Sequence, residues 1–166
     1  MLPSLDVRFR NLIKSVQEVI APAIPDDEKL AQEQVRLVVG HLAMMQEQWK
    51  NAVRFEAGSY RLMRELAEGL AGLVDEGQAA DLQASLEQTR ATVQDDIDAL
   101  NAAICTIGAA IDRVILGEDG RKPLSPDAYR LLLDYGDKSS FRDRVWFKGN
   151  GIDPDRDSLP PLEEIL

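Results

Sequence analysis

Histidine and cysteine are almost missing from this chain, with His41 and Cys105 the sole examples in 166 residues. A single cysteine excludes an internal disulfide and any multi-cysteine metal site. A single histidine excludes a ferritin-like di-iron bundle, which takes Glu-x-x-His from each of two helices. It equally excludes an HExxH zinc site. Aromatics are scarce at 5%, and with many Ala, Leu, Glu and Gln this favours helix packing over a β-sandwich. There is no P-loop, no GxGxxG after a strand and no GxSxG elbow. Nor is there a run of ~18 apolar residues to span a membrane. Asp6, Arg8 and Arg10 interrupt the opening stretch where a signal peptide needs an apolar core. The formal charge of −10 argues against duplex nucleic acid or an anionic membrane as partner. The expectation is a cytoplasmic soluble protein with no cofactor.

What the chain does have is helical periodicity. Leu82, Leu86, Thr89, Val93, Ile97, Leu100, Ile104, Ile107, Ile111 and Val114 step by fours and threes, with one extra four between Val93 and Ile97. This reads as the seam of one long helix with a stutter, ending at Gly117. Val38, Leu42, Met45, Trp49, Ala52, Glu56, Ser59, Met63, Leu66, Leu70 and Leu73 repeat the pattern. Gly58 is the expected kink there. Asp75-Glu76-Gly77-Gln78 reads as the turn between the two, with Gly77 as a left-handed cap. The fold class expected is therefore all-α: an elongated antiparallel helical hairpin forming an up-down four-helix-type bundle.

Ser4 caps a first helix carrying Phe9, Leu12, Ile13, Val16 and Ile20, which Pro22 and Pro25 stop. Asp26 or Asp27 caps the next. Past a polar loop at 118–123, Ser125-Pro126 opens a last helix. The predicted helices are about 5–20, 27–74, 79–116 and 126–147. Residues 1–148 form the bundle domain, and 149–166, rich in Gly, Pro and Asp, an irregular tail.

The hairpin register sets Trp49 against Ile104, Met45 against Gly108 and Leu42 against Ile111. His41 meets Asp112 in a helix–helix hydrogen bond, and Cys105 is a buried inert thiol beside the seam. The first and last helices then cover only the open end. The turn end, with Met63, Leu66, Leu70, Leu73, Leu82 and Leu86, is left as an apolar stripe, which a second copy closes as a homodimer unless a break at Gly58 folds residues 59–75 back. At mid-hairpin either a hydrated polar layer forms from Glu56, Ser59 and Gln94, with Arg54 and Arg61 nearby, or the helix rotates at Gly58 and Glu56 faces solvent. A buried layer would act as a register device or a small ligand site.

Two acidic patterns have metal-ligand spacing. Glu65-x-x-Glu68 and Asp95-x-x-Asp98 resemble the carboxylate pairs of the all-helical nucleotide pyrophosphohydrolases. That resemblance implies Mg²⁺ held against a triphosphate. Arg64 stands where the family carries a further glutamate, and the register holds the two pairs roughly 15 Å apart along the axis. Asp153, Asp155, Asp157 and Glu164 reproduce the ligand spacing of an EF-hand loop, but Ser158 replaces its glycine and prolines 160 and 161 interrupt it. The reading that follows is a non-catalytic helical interaction protein, a dimeric scaffold or accessory subunit. The alternative is a helical-bundle enzyme or ligand-binding protein, in its most concrete form a Mg-dependent pyrophosphohydrolase.

Overall fold

The seam read from Leu82 to Val114 is not one helix, and neither is its counterpart. The computed structural model describes residues 3–117 and 123–166. Among the described residues, six α-helices, one π turn and several short 3₁₀ turns make up the regular structure, with no strand. The helices are α1 (Leu5–Ser15), α2 (Lys29–Gln48), α3 (Ala52–Ala71), α4 (Glu76–Gln88), α5 (Ile97–Leu116) and α6 (Pro126–Trp146). The polar loop expected at 118–123 lies, but for Pro123, outside the described residues. The chain divides into two units, Met1–Asn51 with Arg144–Leu162, and Ala52–Asp143 with Glu163–Leu166.

The first unit is a helical hairpin with a short return segment. Ser4 caps α1 by accepting from the Val7 amide. Beyond Ser15 the helix widens into a single π turn, Val16–Ile20, in which the Ala21 amide reaches back to the Val16 carbonyl. A 3₁₀ turn at Ala21–Ala23 then carries Pro22. α2 starts at Lys29 after Glu28, which makes no side-chain cap, so neither Asp26 nor Asp27 takes the capping role. The two helices run antiparallel, since Trp49 Nε1 and Lys50 Nζ beyond the end of α2 meet the Asp6 carboxylate at 3.2 and 2.7 Å. Residues 144–162 pack on α2 through Gln48 Nε2, which donates to the Trp146 carbonyl at 2.7 Å.

The second unit holds the main core. Its centre is Leu70, Leu82, Leu100 and Ile107, all fully buried, with Leu66, Ile111 and Val114 around them. Each such side chain contributes about 1.5–3 kcal/mol by leaving water. Asp75 caps α4 by accepting from the Gln78 amide, and Asp96 caps α5 by accepting from Ala99. Gly117 ends α5 at φ 58°, a left-handed backbone that glycine takes without strain. Ser125 caps α6, whose first residue is Pro126. α6 adds Ala128 to the core, with Leu131, Leu132 and Tyr135 packed against it. α5 has a mean hydropathy of 1.6, enough by length and composition to cross a membrane. Its apolar row, however, is the row buried against α3 and α4.

Several expectations are corrected here. The span 27–74 breaks at 49–51, where the Asn51 amide turns back to the Gln48 carbonyl at 2.8 Å. The span 79–116 breaks over 89–96, because Thr89 Oγ1 bonds the Ser85 carbonyl and Asp96 starts a new helix. Val93 and Ile97, read as seam positions, are exposed. Gly77 lies in the first turn of α4 instead of ending a helix. Gly58 is no kink: it sits inside α3, and a Cβ there would stand 2.9 Å from the Arg142 guanidinium carbon. Gly108 lies beneath Met63, not Met45.

Candidate functional site

The stripe assigned to a dimer contact is largely interior. Leu66, Leu70 and Leu82 are buried within the second unit, Met63 and Leu86 are half-buried against the same core, and only Leu73 is exposed. α5 and α6 supply the cover that a two-helix hairpin lacked. That stripe is therefore not a free surface.

The polar layer does not assemble either. Ser59 Oγ donates to the Phe55 carbonyl of its own helix, Gln94 sits exposed in the 89–96 loop and bonds the Thr92 carbonyl, and Arg54 is exposed. Glu56 is half-buried. Burial raises its pKa above the usual value, with the Asp143 charge adding to the rise and Arg142 opposing it. The carboxylates with metal-like spacing are equally scattered. Glu65, Glu68, Asp95 and Asp98 are all exposed, and Glu68 pairs with Arg64 at 3.0 Å. In the tail, Arg144 takes both oxygens of Asp153 at 2.7 and 3.1 Å and holds its pKa down. Asp155 lies 3.6 Å from the same arginine. Among the described residues no group of three or more His, Cys, Asp or Glu side chains is placed to hold a metal. Cys105 is exposed on α5, not buried. His41 is exposed on α2, beside a groove of about 450 Å³ that Leu37, Met44 and Ile152 also line.

Sequence reasoning missed the most elaborate buried polar group, Arg142. Its Nη2 donates to the Phe55 carbonyl at 2.8 Å, its Nη1 to the Ile165 carbonyl, and its guanidinium lies 4.8 Å from the centre of the Phe55 ring. Burial lowers its pKa, and Arg61 adds to that. The guanidinium fits because residue 58 has no side chain. This arrangement fastens Glu163–Leu166 within the second unit; it is anchoring, with each terminal nitrogen bonded to a main-chain oxygen.

The surface that lacks an intramolecular explanation is the N-terminal hairpin. α1 has no buried residue and α2 has one, Met44. On α1 the half-buried Phe9, Ile13 and Val16 mark the row turned toward α2, and on α2 the half-buried Val35, Val39 and Leu42 mark its counterpart. Leu5 and Leu12 stand four residues before Phe9 and Val16. Val38 stands four before Leu42, and Met45 follows Val38 by seven. The extra residue of the π turn makes the next step on α1 an eight, to Ile20. In antiparallel helices, rows offset from the shared seam in the same rotational sense lie on one side of the pair. That side is open: Leu12 is 52% exposed, Ile20 49%, Val38 48% and Met45 48%, with Leu5 and Trp49 exposed at its end. A partial signal existed, since the helical spacing from Phe9 to Ile20 is plain in the sequence.

Compared with protein-family models, with curated proteins and with solved structures, the chain matches none.

Proposed function

We propose that the chain is a non-catalytic helical interaction protein, a scaffold or accessory subunit whose contact element is the N-terminal hairpin. One observation carries this reading. A two-helix hairpin contributes a single buried side chain of its own while leaving Leu5, Leu12, Ile20, Val38, Met45 and Trp49 open to water on one side. Contiguous apolar faces of this kind mark contact sites in soluble proteins. Large exposed aliphatics also cost solubility, which a surface without a partner has no reason to bear. The exposed, unpaired Cys105 accords with a reducing, cytoplasmic setting.

The test is retention by the tagged chain, with the double variant Leu12→Glu/Met45→Glu as control. The wild-type chain is expected to retain either untagged copies of itself or another protein that the variant loses. Equal recovery by both forms overturns the reading.

A further inference from the structure

In the second unit, Glu163–Leu166 lies in a groove between α3 and α6 in the manner of a bound peptide. Leu162–Ile165 forms a single 3₁₀ turn after Pro160 and Pro161, and a lone turn has little stability of its own. The groove is what holds it. Arg142 donates to the Ile165 carbonyl, and the Ile165 side chain is buried. Arg61 and Leu62 of α3 and Lys138 and Phe141 of α6 form the walls.

The segment fills this groove incompletely. A space of about 290 Å³ remains against the walls, and Phe141 is exposed. Arg61 and Glu164 both line that space, yet neither is in an ion pair among the described residues. Arg61 is close enough to repel the Arg142 guanidinium, which Asp143 and Glu56 attract. Lys138, on the opposite wall, is already held by Asp134 at 2.6 Å. The walls therefore offer apolar surface and one unengaged arginine. Glu163 and Glu164, beside Ile165 and Leu166, match those walls in kind without satisfying them.

We infer that this groove docks an acidic, apolar peptide segment of another protein, and that Glu163–Leu166 is its resident competitor. The inference concerns the other unit from the hairpin and does not depend on the reading above. An incoming segment places an aliphatic side chain where Ile165 sits, a main-chain carbonyl on Arg142 and a carboxylate on Arg61. Arg142 has room for its part because Gly58 carries no side chain. The carboxylate–arginine bond, which the resident lacks, is charge-assisted and among the stronger hydrogen bonds. A second copy brings the same segment and leaves the same space, so a foreign segment is the better occupant. The resident, being tethered, competes at an effective concentration of about 1 mM. It thereby shuts out free peptides of merely equal affinity.

Fluorescence anisotropy on the full chain tests this, with a labelled peptide of residues 159–166 as probe. Ile165→Ala and Glu164→Lys each loosen the resident, and each is expected to tighten probe binding about tenfold over wild type. Adding Arg61→Glu to Ile165→Ala is expected to reverse that gain. Circular dichroism checks folding; should Ile165→Ala unfold, Glu164→Lys, at an exposed position, still decides. Equal binding by wild type and the folded variants overturns the resident competitor. Equal binding of a scrambled peptide, or indifference to Arg61→Glu, overturns the groove. Sedimentation of Ile165→Ala at twice 18.4 kDa, abolished by Arg61→Glu, assigns the groove to a second copy and overturns the foreign segment.

Discussion

The Tyr60 hydroxyl donates to the main-chain carbonyl of Thr89 at 2.7 Å, and both residues are buried. Thr89 is where α4 stops, so a side chain of α3 satisfies a carbonyl that the helix end leaves without an intrahelical donor. Arg64, one turn further along α3, supports the same end by donating to the Leu86 carbonyl at 3.2 Å and to the Tyr60 oxygen at 3.3 Å. Tyr60→Phe keeps the ring and orphans the carbonyl. It is expected to lower stability by about 1–2 kcal/mol, read as a lower urea midpoint at unchanged slope.

Two glycines, both inside helices, are expected to respond oppositely to alanine. At Gly58 a Cβ collides with the Arg142 guanidinium, which must give up its place between the Phe55 and Ile165 carbonyls. Gly58→Ala is expected to cost about 1–3 kcal/mol. At Gly40 nothing lies within 4 Å, and alanine relieves glycine's conformational penalty. Gly40→Ala is expected to gain about 0.5–1 kcal/mol. Thermal melts of both single variants by circular dichroism decide the matter; a loss at residue 40 or a gain at residue 58 contradicts it.

Acid–base behaviour gives a third expectation. Burial first, and the neighbouring Asp143 second, raise the Glu56 pKa. An acid whose pKa rises on folding holds its proton more tightly in the native state. Its contribution to stability is intact below the unfolded pKa and is lost as pH rises through the folded one. Glu56→Gln removes that loss, so its Tm is expected to exceed wild type at neutral pH. The gain disappears below about pH 4, where the unfolded-state carboxyl is itself protonated. A constant difference across the titration would show that Glu56 does not feel its surroundings.

On the surface, Arg113 of α5 grips Asp81 of α4 through both carboxylate oxygens at 2.7 and 3.0 Å. The pair is well exposed, and such pairs typically contribute about 0.2–1 kcal/mol. A double-mutant cycle with Asp81→Asn and Arg113→Gln is expected to give a coupling energy in that range. High salt is expected to shrink it, and a coupling above about 2 kcal/mol would contradict the surface assignment.

Helix and cap chemistry was largely legible in the sequence. Ser4, Ser125 with Pro126, and Gly117 all stand at the helix ends that their residue types demand. The breaks were not, because a run of fours and threes continued across them. Val93 and Ile97 are in phase with Leu100, yet Val93 lies inside and Ile97 just after a loop whose local bonds, Thr89 to its own helix and Asp96 to Ala99, outweigh phase. Once those breaks are granted, Leu66, Leu70 and Leu82 lie within reach of α5 and α6, and the stripe closes internally. Arg142 left no periodic trace, since its acceptors are main-chain oxygens at Phe55 and Ile165. The apolar face from Phe9 to Ile20 was visible as an amphipathic helix. Its exposure was not, because that depends on how few other elements reach it.

The first unit is assembled from residues at both ends of its chain, 3–51 and 144–162, and this has a consequence for biosynthesis. When α1 and α2 leave the ribosome, the segment that packs on α2 around Trp146 and Gly149 lies about a hundred residues from translation. At ~5–20 residues per second this is a wait of roughly 5–20 s. Throughout that interval Met44, the one buried side chain of α2, lacks the cover it has beside Gly149, so the first unit completes its packing only after the helices of the second unit have been made.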